Sequence, residues 1–302
     1  MTTDLDHLAE EFTQARPRLV RVAYAIIGTR TEAEDVVADC WFRLVSADQQ
    51  EPVRDVEAWS VVAVSRMALD VLRSARIRRE RYIGPWLPEP VVASPDAEPP
   101  ADPADQVTLA DEVGYAVLVM MESLSPAERT AFVLHDLFGL TFDEVANIVG
   151  RRPGAVRQLA SRARRHVRNN SPWPETDAAE HRRVIEAFAA AATSGDLATL
   201  IHLLDPDVVM VSDGGGQVSS ARKPVLGPDR VARFLLGILA KEQPGDKIDR
   251  VLVNGAPGFA VYQQGKLVTI ASVTVAAGRV TRLDLVRAPA KLPSQNQPPP
   301  AS

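Results

Sequence analysis

The chain has 302 residues, 46% of them hydrophobic, enough for about two domains with cores of their own. Its net charge of -5 excludes polyanion binding through bulk charge, so any nucleic-acid contact must come from local patches. A single cysteine, Cys40, excludes an intrachain disulfide and a thiolate metal cluster.

The first twenty residues lack a basic-then-apolar signal pattern. No apolar run approaches the roughly 20 residues needed to span a bilayer. A soluble cytoplasmic protein without membrane contact is expected.

Residues 1–81 read as an all-helical block. Leu8 to Ile27 is periodic and ends near Gly28. Thr31 and Glu34 have capping-box spacing and predict the next helix start. Val36, Val37, Cys40, Trp41 and Leu44 then recur at helical spacing as core, with Glu32, Asp35 and Asp39 outside. These acids read as a solvated face or as a docking face for a basic partner. The segment Ser46 to Asp55 reads as a loop before a long helix from Val56 to about Arg81. One side of that helix is apolar, from Val61 to Ala75; another carries Trp59, Arg66, Asp70 and Arg73, and Arg76 follows near its end. Arginines beside an exposed aromatic suit single-stranded nucleic acid, because charge holds the backbone while the ring stacks on a base. The plainer reading makes Trp59 an ordinary core residue.

Residues 82–106 form a linker. Seven prolines, five acids and no basic residue make it extended rather than helical. Within it Trp86-Leu87-Pro88-Glu89-Pro90 carries an apolar pair that is expected to dock on a folded surface.

Residues 107–170 form a second helical block. Ser125, Pro126 and Glu128 mark one helix start. Thr141 and Glu144 mark another, and Gly150 suits its end. Pro153 opens the following helix. On it Val156, Leu159, Ala160, Ala163 and Val167 share one face, opposite Arg157, Gln158, Ser161, Arg165 and Arg168. No acidic residue falls between Arg151 and Arg168. The pattern is a helix-turn-helix with its recognition helix second. Read plainly, it is two bundle helices with a solvated basic face. His135 lacks a second ligand nearby and reads as structural.

Residues 178–290 change character. Two amphipathic helices, Ala178 to Thr193 and Leu197 to Leu204, precede a strand at Asp207 to Ser212 and a helix at Pro228 to Ala240. Four further strands are separated by Asn254-Gly255-Ala256-Pro257-Gly258, Gln264-Gly265 and Ala277-Gly278, which are hairpin signals. Helices followed by an antiparallel meander predict an α+β domain. Residues 291–302 read as a disordered tail.

The ordered motifs of the helical blocks resemble the extracytoplasmic-function (ECF) group of RNA polymerase sigma factors. They are Ala33-Glu34-Asp35-Val36-Val37 with Trp41, Glu57-Ala58-Trp59, Asp70-Val71-Leu72-Arg73, Leu124-Ser125-Pro126-Ala127-Glu128-Arg129, and Ala155-Val156-Arg157-Gln158-Leu159 with Ser161-Arg162-Ala163-Arg164. Trp-Leu-Pro-Glu-Pro, Asp-Gly-Gly-Gly at 213–216 and Asn-Gly-Ala-Pro-Gly at 254–258 are similar to the SigJ-type subgroup, which ends in a SnoaL-like domain. The resemblance implies a multidomain chain: two all-α sigma domains, then an NTF2-like cone with a curved antiparallel sheet.

The resemblance also implies roles and partners. Glu32, Asp35 and Asp39 would meet the β′ coiled-coil of core RNA polymerase, and the β flap is a second polymerase contact. Trp59, Arg66, Arg73 and Arg76 would read the −10 element, where a base leaves the stack. Arg157, Gln158 and Ser161 would face −35 base edges, with Arg151, Arg152, Arg162 and Arg165 on phosphates. Arg152 and Pro153 stand where the family often has a capping serine. Leu159 and Ala160 are apolar where many relatives are polar, so the promoter sequence does not carry over.

For the last domain the favoured reading is a fused regulator, with no enzymatic activity, no cofactor and no need for a separate anti-sigma protein. Trp86, Leu87 and Pro88 would dock near Asp213, Gly214, Gly215 and Gly216. The alternative is a pocket that binds or converts a small molecule, with His202, Asp213, Arg282 and Asp284 as polar candidates. Read plainly, Arg282 and Asp284 are a surface salt pair on an edge strand, and the glycines a flexible hairpin tip.

Overall fold

The computed structural model describes residues 2–79, 82–95, 113–170, 178–241 and 244–293. The expectations for residues 96–106 of the linker, for 107–112 at the start of the second block and for the tail from 294 lie outside them. The chain divides into two compact units. The first holds residues 1–80, 100–113 and 120–167, so both helical blocks belong to one unit. The second holds residues 81–99, 114–119 and 168–302, which assigns the first part of the linker to the carboxy-terminal domain.

The first unit begins with three helices: α1 (Thr2–Ile27), α2 (Arg30–Asp48) and α3 (Val56–Arg79). Leu19, Val22, Ile26, Val37, Cys40, Leu44, Val64 and Ala68 bury between them. Gly28 ends α1 at a φ of 85°, which only glycine adopts readily. Thr29 is then extended at the N-cap position of α2; its hydroxyl makes no capping bond to the backbone and lies 2.6 Å from the Glu32 carboxylate. The predicted Thr31–Glu34 start is therefore shifted by two residues, because Gly28 forces the break earlier. The helix α2 also runs three residues into the predicted loop, to Asp48. There the Asp48 carboxylate accepts from Val53 N–H at 2.9 Å and closes the turn.

The second block contains α4 (Tyr115–Met121), α5 (Pro126–Phe132), α6 (Phe142–Val149) and α7 (Pro153–Asn170). The division between units runs through α4. Unlike the capping box predicted at Thr31, that of Thr141 with Glu144 forms, and the helix start predicted at Ser125 is a capping box with Glu128. Each meets two orphan N–H groups of a helix start. After α5 the chain makes a π-helical turn, Val133–Leu137, instead of continuing as α-helix. His135 in that turn bonds the Leu140 carbonyl at 2.8 Å and stacks on Phe142, so it is structural. Gly150 is left-handed, as its place after α6 requires. Along α7, Val156, Leu159, Ala160, Ala163 and Val167 are all buried, so the predicted two-faced pattern is the observed one.

The carboxy-terminal unit has the helix-then-meander order expected of an NTF2-like fold. Helices α8 (Ala178–Ser194), α9 (Leu197–Leu203) and α10 (Pro228–Leu239) accompany a sheet. Among the described residues its strands are β1 (Val92–Ala93), β2 (Leu204–Asp213), β3 (Val225–Leu226), β4 (Lys247–Val253), β5 (Ala256–Gln263), β6 (Lys266–Ala276) and β7 (Arg279–Val286). Their spatial order is β1-β4-β5-β6-β7-β2-β3, and all neighbours are antiparallel except β2 and β7. The sheet is thus mixed, through a pairing between strands some 70 residues apart in sequence.

Two-residue turns join the last four strands. Asn254-Gly255, Gln264-Gly265 and Ala277-Gly278 have positive φ at both positions, the type I′ geometry that matches strand twist. The first turn is shorter than predicted, because Ala256-Pro257-Gly258 already pairs with β4. Proline is tolerated there because β5 meets β6 only from Gly258 onward.

The period-2 alternation separates two apolar layers. Val208, Met210, Ala271, Val273, Leu283 and Leu285 face Val184, Phe188, Leu200 and Val231 of the helices. On the opposite face lie Val211, Val253, Ala260, Ile270 and Val286, covered by Leu87 of the linker and Tyr115 of α4.

Candidate nucleic-acid interface

The recognition-helix side of α7 is open where the sequence places its polar residues. Arg151, Arg152, Arg157, Gln158, Ser161, Arg162 and Arg165 are all exposed. Two of them are engaged within the unit. The Arg162 guanidinium is 3.0 Å from Glu128, and Arg157 lies over the Phe142 ring at 5.3 Å. Arg164 holds α7 to the π-turn through Asp136 at 2.6 Å. Without a capping serine at Arg152, Pro153 at the first helical position leaves no N–H of its own unpaired, and the Arg152 carbonyl accepts from Ala155 N–H at 2.9 Å.

The arginine side of α3 is not free. Arg66 donates to the Asn147 carbonyl of α6 at 3.1 Å, and Arg76 reaches the Leu124 carbonyl at 3.5 Å. Arg73 pairs with Asp70 at 3.0 Å. Trp59 is half-buried. Arg79 and Arg129 both donate to Glu122, and Arg129 also bonds the Ala25 carbonyl at 3.1 Å. The second block therefore occupies part of the face expected to hold single-stranded DNA.

On α2, Asp35 and Asp39 are exposed as predicted. Glu32 is half-buried and tied to Thr29, a consequence of the earlier helix start. The sequence reading missed Phe42, which is 70% exposed. Its signal was the spacing 35, 39, 42, which puts the ring on the acidic face.

The linker motif and the glycine motif meet inside the carboxy-terminal unit. Asp213 ends β2 with 0% exposure. Its carboxylate accepts from Tyr82 OH at 2.6 Å, Leu87 N–H at 2.9 Å, Gly215 N–H at 2.9 Å and Lys291 Nζ at 2.6 Å. Lys291 also donates to the Leu87 carbonyl at 2.6 Å and sits 3.9 Å from the Trp86 ring centroid. Pro88 O accepts from Tyr115 OH at 2.9 Å. Burial, then the Asp213 carboxylate, push the Tyr82 phenol well above its usual range, so it stays a donor. Farther along, Val91 and Asn254 exchange two hydrogen bonds, and β1 pairs with β4.

Three expectations are corrected here. The tail from 291 begins in a buried residue, since Lys291 is only 7% exposed in the short helix Pro289–Lys291. A buried carboxylate requires a counter-charge, and Lys291 provides it. The glycines are no flexible tip: a Cβ at Gly214 would lie 2.5 Å from the Val218 carbonyl, and one at Gly215 3.0 Å from Ala288 Cβ. Arg282 and Asp284 are no edge-strand surface pair. The strand β7 lies between β6 and β2, Asp284 is 1% exposed, and Arg282 Nε bonds both its carboxylate oxygens at 3.0 and 2.8 Å.

The small-molecule set is divided between two places. Asp213, Arg282 and Asp284 alternate with residues that face the helices, which puts them on the opposite side of the sheet. His202 is exposed on α9.

The model of Sigma-70 region 2 matches residues 12–78, and that of Sigma-70, region 4 matches residues 115–167. The chain is 40% identical over 284 residues to the ECF RNA polymerase sigma factor SigJ of Mycobacterium tuberculosis, covering 90% of this chain and 89% of that one. It is 35% identical over 295 residues to the probable ECF RNA polymerase sigma factor SigI of the same species, covering 95% of each. The crystal structure of Mycobacterium tuberculosis SigJ aligns with a TM-score of 0.74 at 35% identity, covering 94% of this chain and 97% of that one. No described helix is long and apolar enough to cross a membrane. The two region matches in order, and a likeness that runs through the carboxy-terminal domain, establish that the chain belongs to the ECF RNA polymerase sigma factors, non-enzymatic proteins that bind core polymerase and promoter DNA.

Proposed function

We propose that this sigma factor is modulated in cis by its carboxy-terminal domain, through the linker that Asp213 holds. The observation that carries this reading is the convergence on one buried carboxylate of Tyr82, Leu87 and Lys291. Tyr82 follows the end of α3 by three residues, so the domain grips the chain next to the proposed −10 reader. A tethered regulator acts at high effective concentration and dispenses with a separate anti-sigma protein.

In this reading Asp35 and Asp39, with Phe42 beside them, dock on the β′ coiled-coil of core polymerase, and Glu32 supports their helix start. Trp59, Arg66, Arg73 and Arg76 bind the −10 strand once the second block leaves α3. Arg157, Gln158 and Ser161 read the −35 element from the major groove, while Arg151, Arg152, Arg162 and Arg165 hold phosphates. The face of α7 supports this: it is basic, exposed and without an acidic residue.

Run-off transcription with core polymerase and a promoter library tests the proposal. The wild-type chain is expected to select a promoter class, and Trp86→Ala/Leu87→Ala to change the amount of transcript several-fold. Leu87 is 1% exposed, so its truncation removes about 2–5 kcal/mol of packing from the linker contact. Equal transcription by both proteins, with the linker released in the variant, defeats the cis-modulation reading.

A further inference from the structure

A cavity of about 280 Å³ lies within the first unit, between α3 and the turn that joins α4 to α5. Its polar walls are Arg76, Arg79, Glu122, Ser123 and Arg129, and Leu72 and Met121 stand among its apolar ones. The volume far exceeds the ~10–15 Å³ that one water needs. Three guanidiniums against one carboxylate leave an excess of two positive charges in this lining. Glu122 accepts from both Arg79 and Arg129, and backbone carbonyls take further donors: Ile27 from Arg79 at 3.0 Å, Ala25 from Arg129 at 3.1 Å. These do not exhaust the cluster. Arg129 is 1% exposed, yet its Nη2 has no acceptor among the described residues. Arg76 is exposed and, among the described residues, makes only a long contact of 3.5 Å. A buried cationic donor left without an acceptor is costly, and an anion of matching geometry removes that cost.

We propose that this cavity binds a small phosphate-bearing anion. A tetrahedral oxyanion offers the paired acceptors that guanidinium forks match, where a point charge such as chloride does not. The burial of Arg129, and of Arg79 at 18% side-chain exposure, favours a free small molecule over the backbone of duplex DNA. The site also has a consequence for the fold. Glu122 belongs to the second block and Arg79 to α3, so their ion pair joins the two promoter-reading blocks. An anion on Arg79 and Arg129 competes with Glu122 for the same donors. Ligand occupancy therefore alters how firmly α3 holds the second block, independently of the linker and Asp213.

Isothermal titration of sodium pyrophosphate into the full chain, at fixed ionic strength against a potassium chloride blank, tests the proposal. One saturable site per chain is expected. Arg76→Ala should weaken it about 10-fold or more through loss of a charge-assisted contact. Glu122→Gln should strengthen it roughly three- to tenfold, because the like charge facing the ligand is removed. Thermal melts without ligand report whether each variant folds; if Arg76→Ala does not, Glu122→Gln decides alone. Absence of saturable binding, or unchanged affinity in the folded variants, overturns the site. Displacement of pyrophosphate by one equivalent of a short duplex assigns the arginines to DNA backbone and overturns it equally.

Discussion

Replacing Asp213 with alanine removes the acceptor shared by Tyr82, Leu87, Gly215 and Lys291. In the native protein the Asp213 side chain is 0% exposed and that of Lys291 8%. After the substitution the ammonium stays buried against the Leu87 carbonyl and the Trp86 and Tyr82 rings, without its carboxylate counter-charge. Breaking a buried pair from one side costs about 3–5 kcal/mol, chiefly for the charge left unpaired. At ~1.4 kcal/mol per tenfold, the protection of the docked linker falls by roughly two to three and a half decades. Hydrogen exchange by mass spectrometry on the full chain reads this in a peptide spanning residues 82–93, with a peptide from α2 as reference. Asp213→Asn keeps the shape and one of the two acceptor oxygens, so it can still accept from either Leu87 N–H or Tyr82 OH, and its loss is expected to be smaller. Linker protection within threefold of wild type in Asp213→Ala would refute the argument, and so would an equal loss in α2. The first outcome makes the carboxylate incidental; the second makes the effect global unfolding.

Other expectations follow from single contacts. Gly258→Ala places a Cβ 2.5 Å from the Ala271 carbonyl and 2.8 Å from Val253 Cγ2, so β5 must shift; a loss of about 1–3 kcal/mol is expected in urea unfolding of the last domain. Thr141→Ala is expected to lower the stability of α6 by about 1 kcal/mol at pH 7, measured by exchange of the Val145 and Ala146 amides. The Thr141 hydroxyl and N–H hold the Glu144 carboxyl below its ordinary range. That contribution is complete above the unfolded value of 4.5 and is lost as pH falls through the depressed folded value, so the gap between wild type and variant should narrow in acid. Burial pushes the Cys40 thiol up to about 11, so it should resist iodoacetamide at pH 8 in the native chain and react in urea; rapid native labelling would contradict the packing of α2 on α3.

Local chemistry was legible along most of the chain. Capping boxes at Ser125 and Thr141, the left-handed Gly150, the two faces of α7 and three glycine-containing hairpin turns need only neighbours within about five residues. Such features are decided by backbone sterics and by the nearest donors and acceptors, so periodicity and turn residues reveal them. The ordered family motifs were legible for the same reason, as runs of contiguous residues. Errors of two residues at Thr29 and three at Asp48 arose where a glycine break and an aspartate that closes the following turn moved a helix boundary.

What the tertiary structure alone decided involves partners far apart in sequence. Asp213 meets Tyr82 across 131 residues and Lys291 across 78, and no period links them. Lys291 stood in a proline-rich tail that composition assigns to disorder; only the burial of Asp213 makes its ammonium necessary there. The parallel pairing of β2 with β7 turned Arg282 and Asp284 from an expected edge into an interior pair. Arg66 and Arg76 illustrate the same limit on α3: the sequence marks them as free cations, yet carbonyls of the second block receive them. Helix faces and turns follow from short-range sterics, whereas the environment of a charge depends on which distant segments exclude water from it.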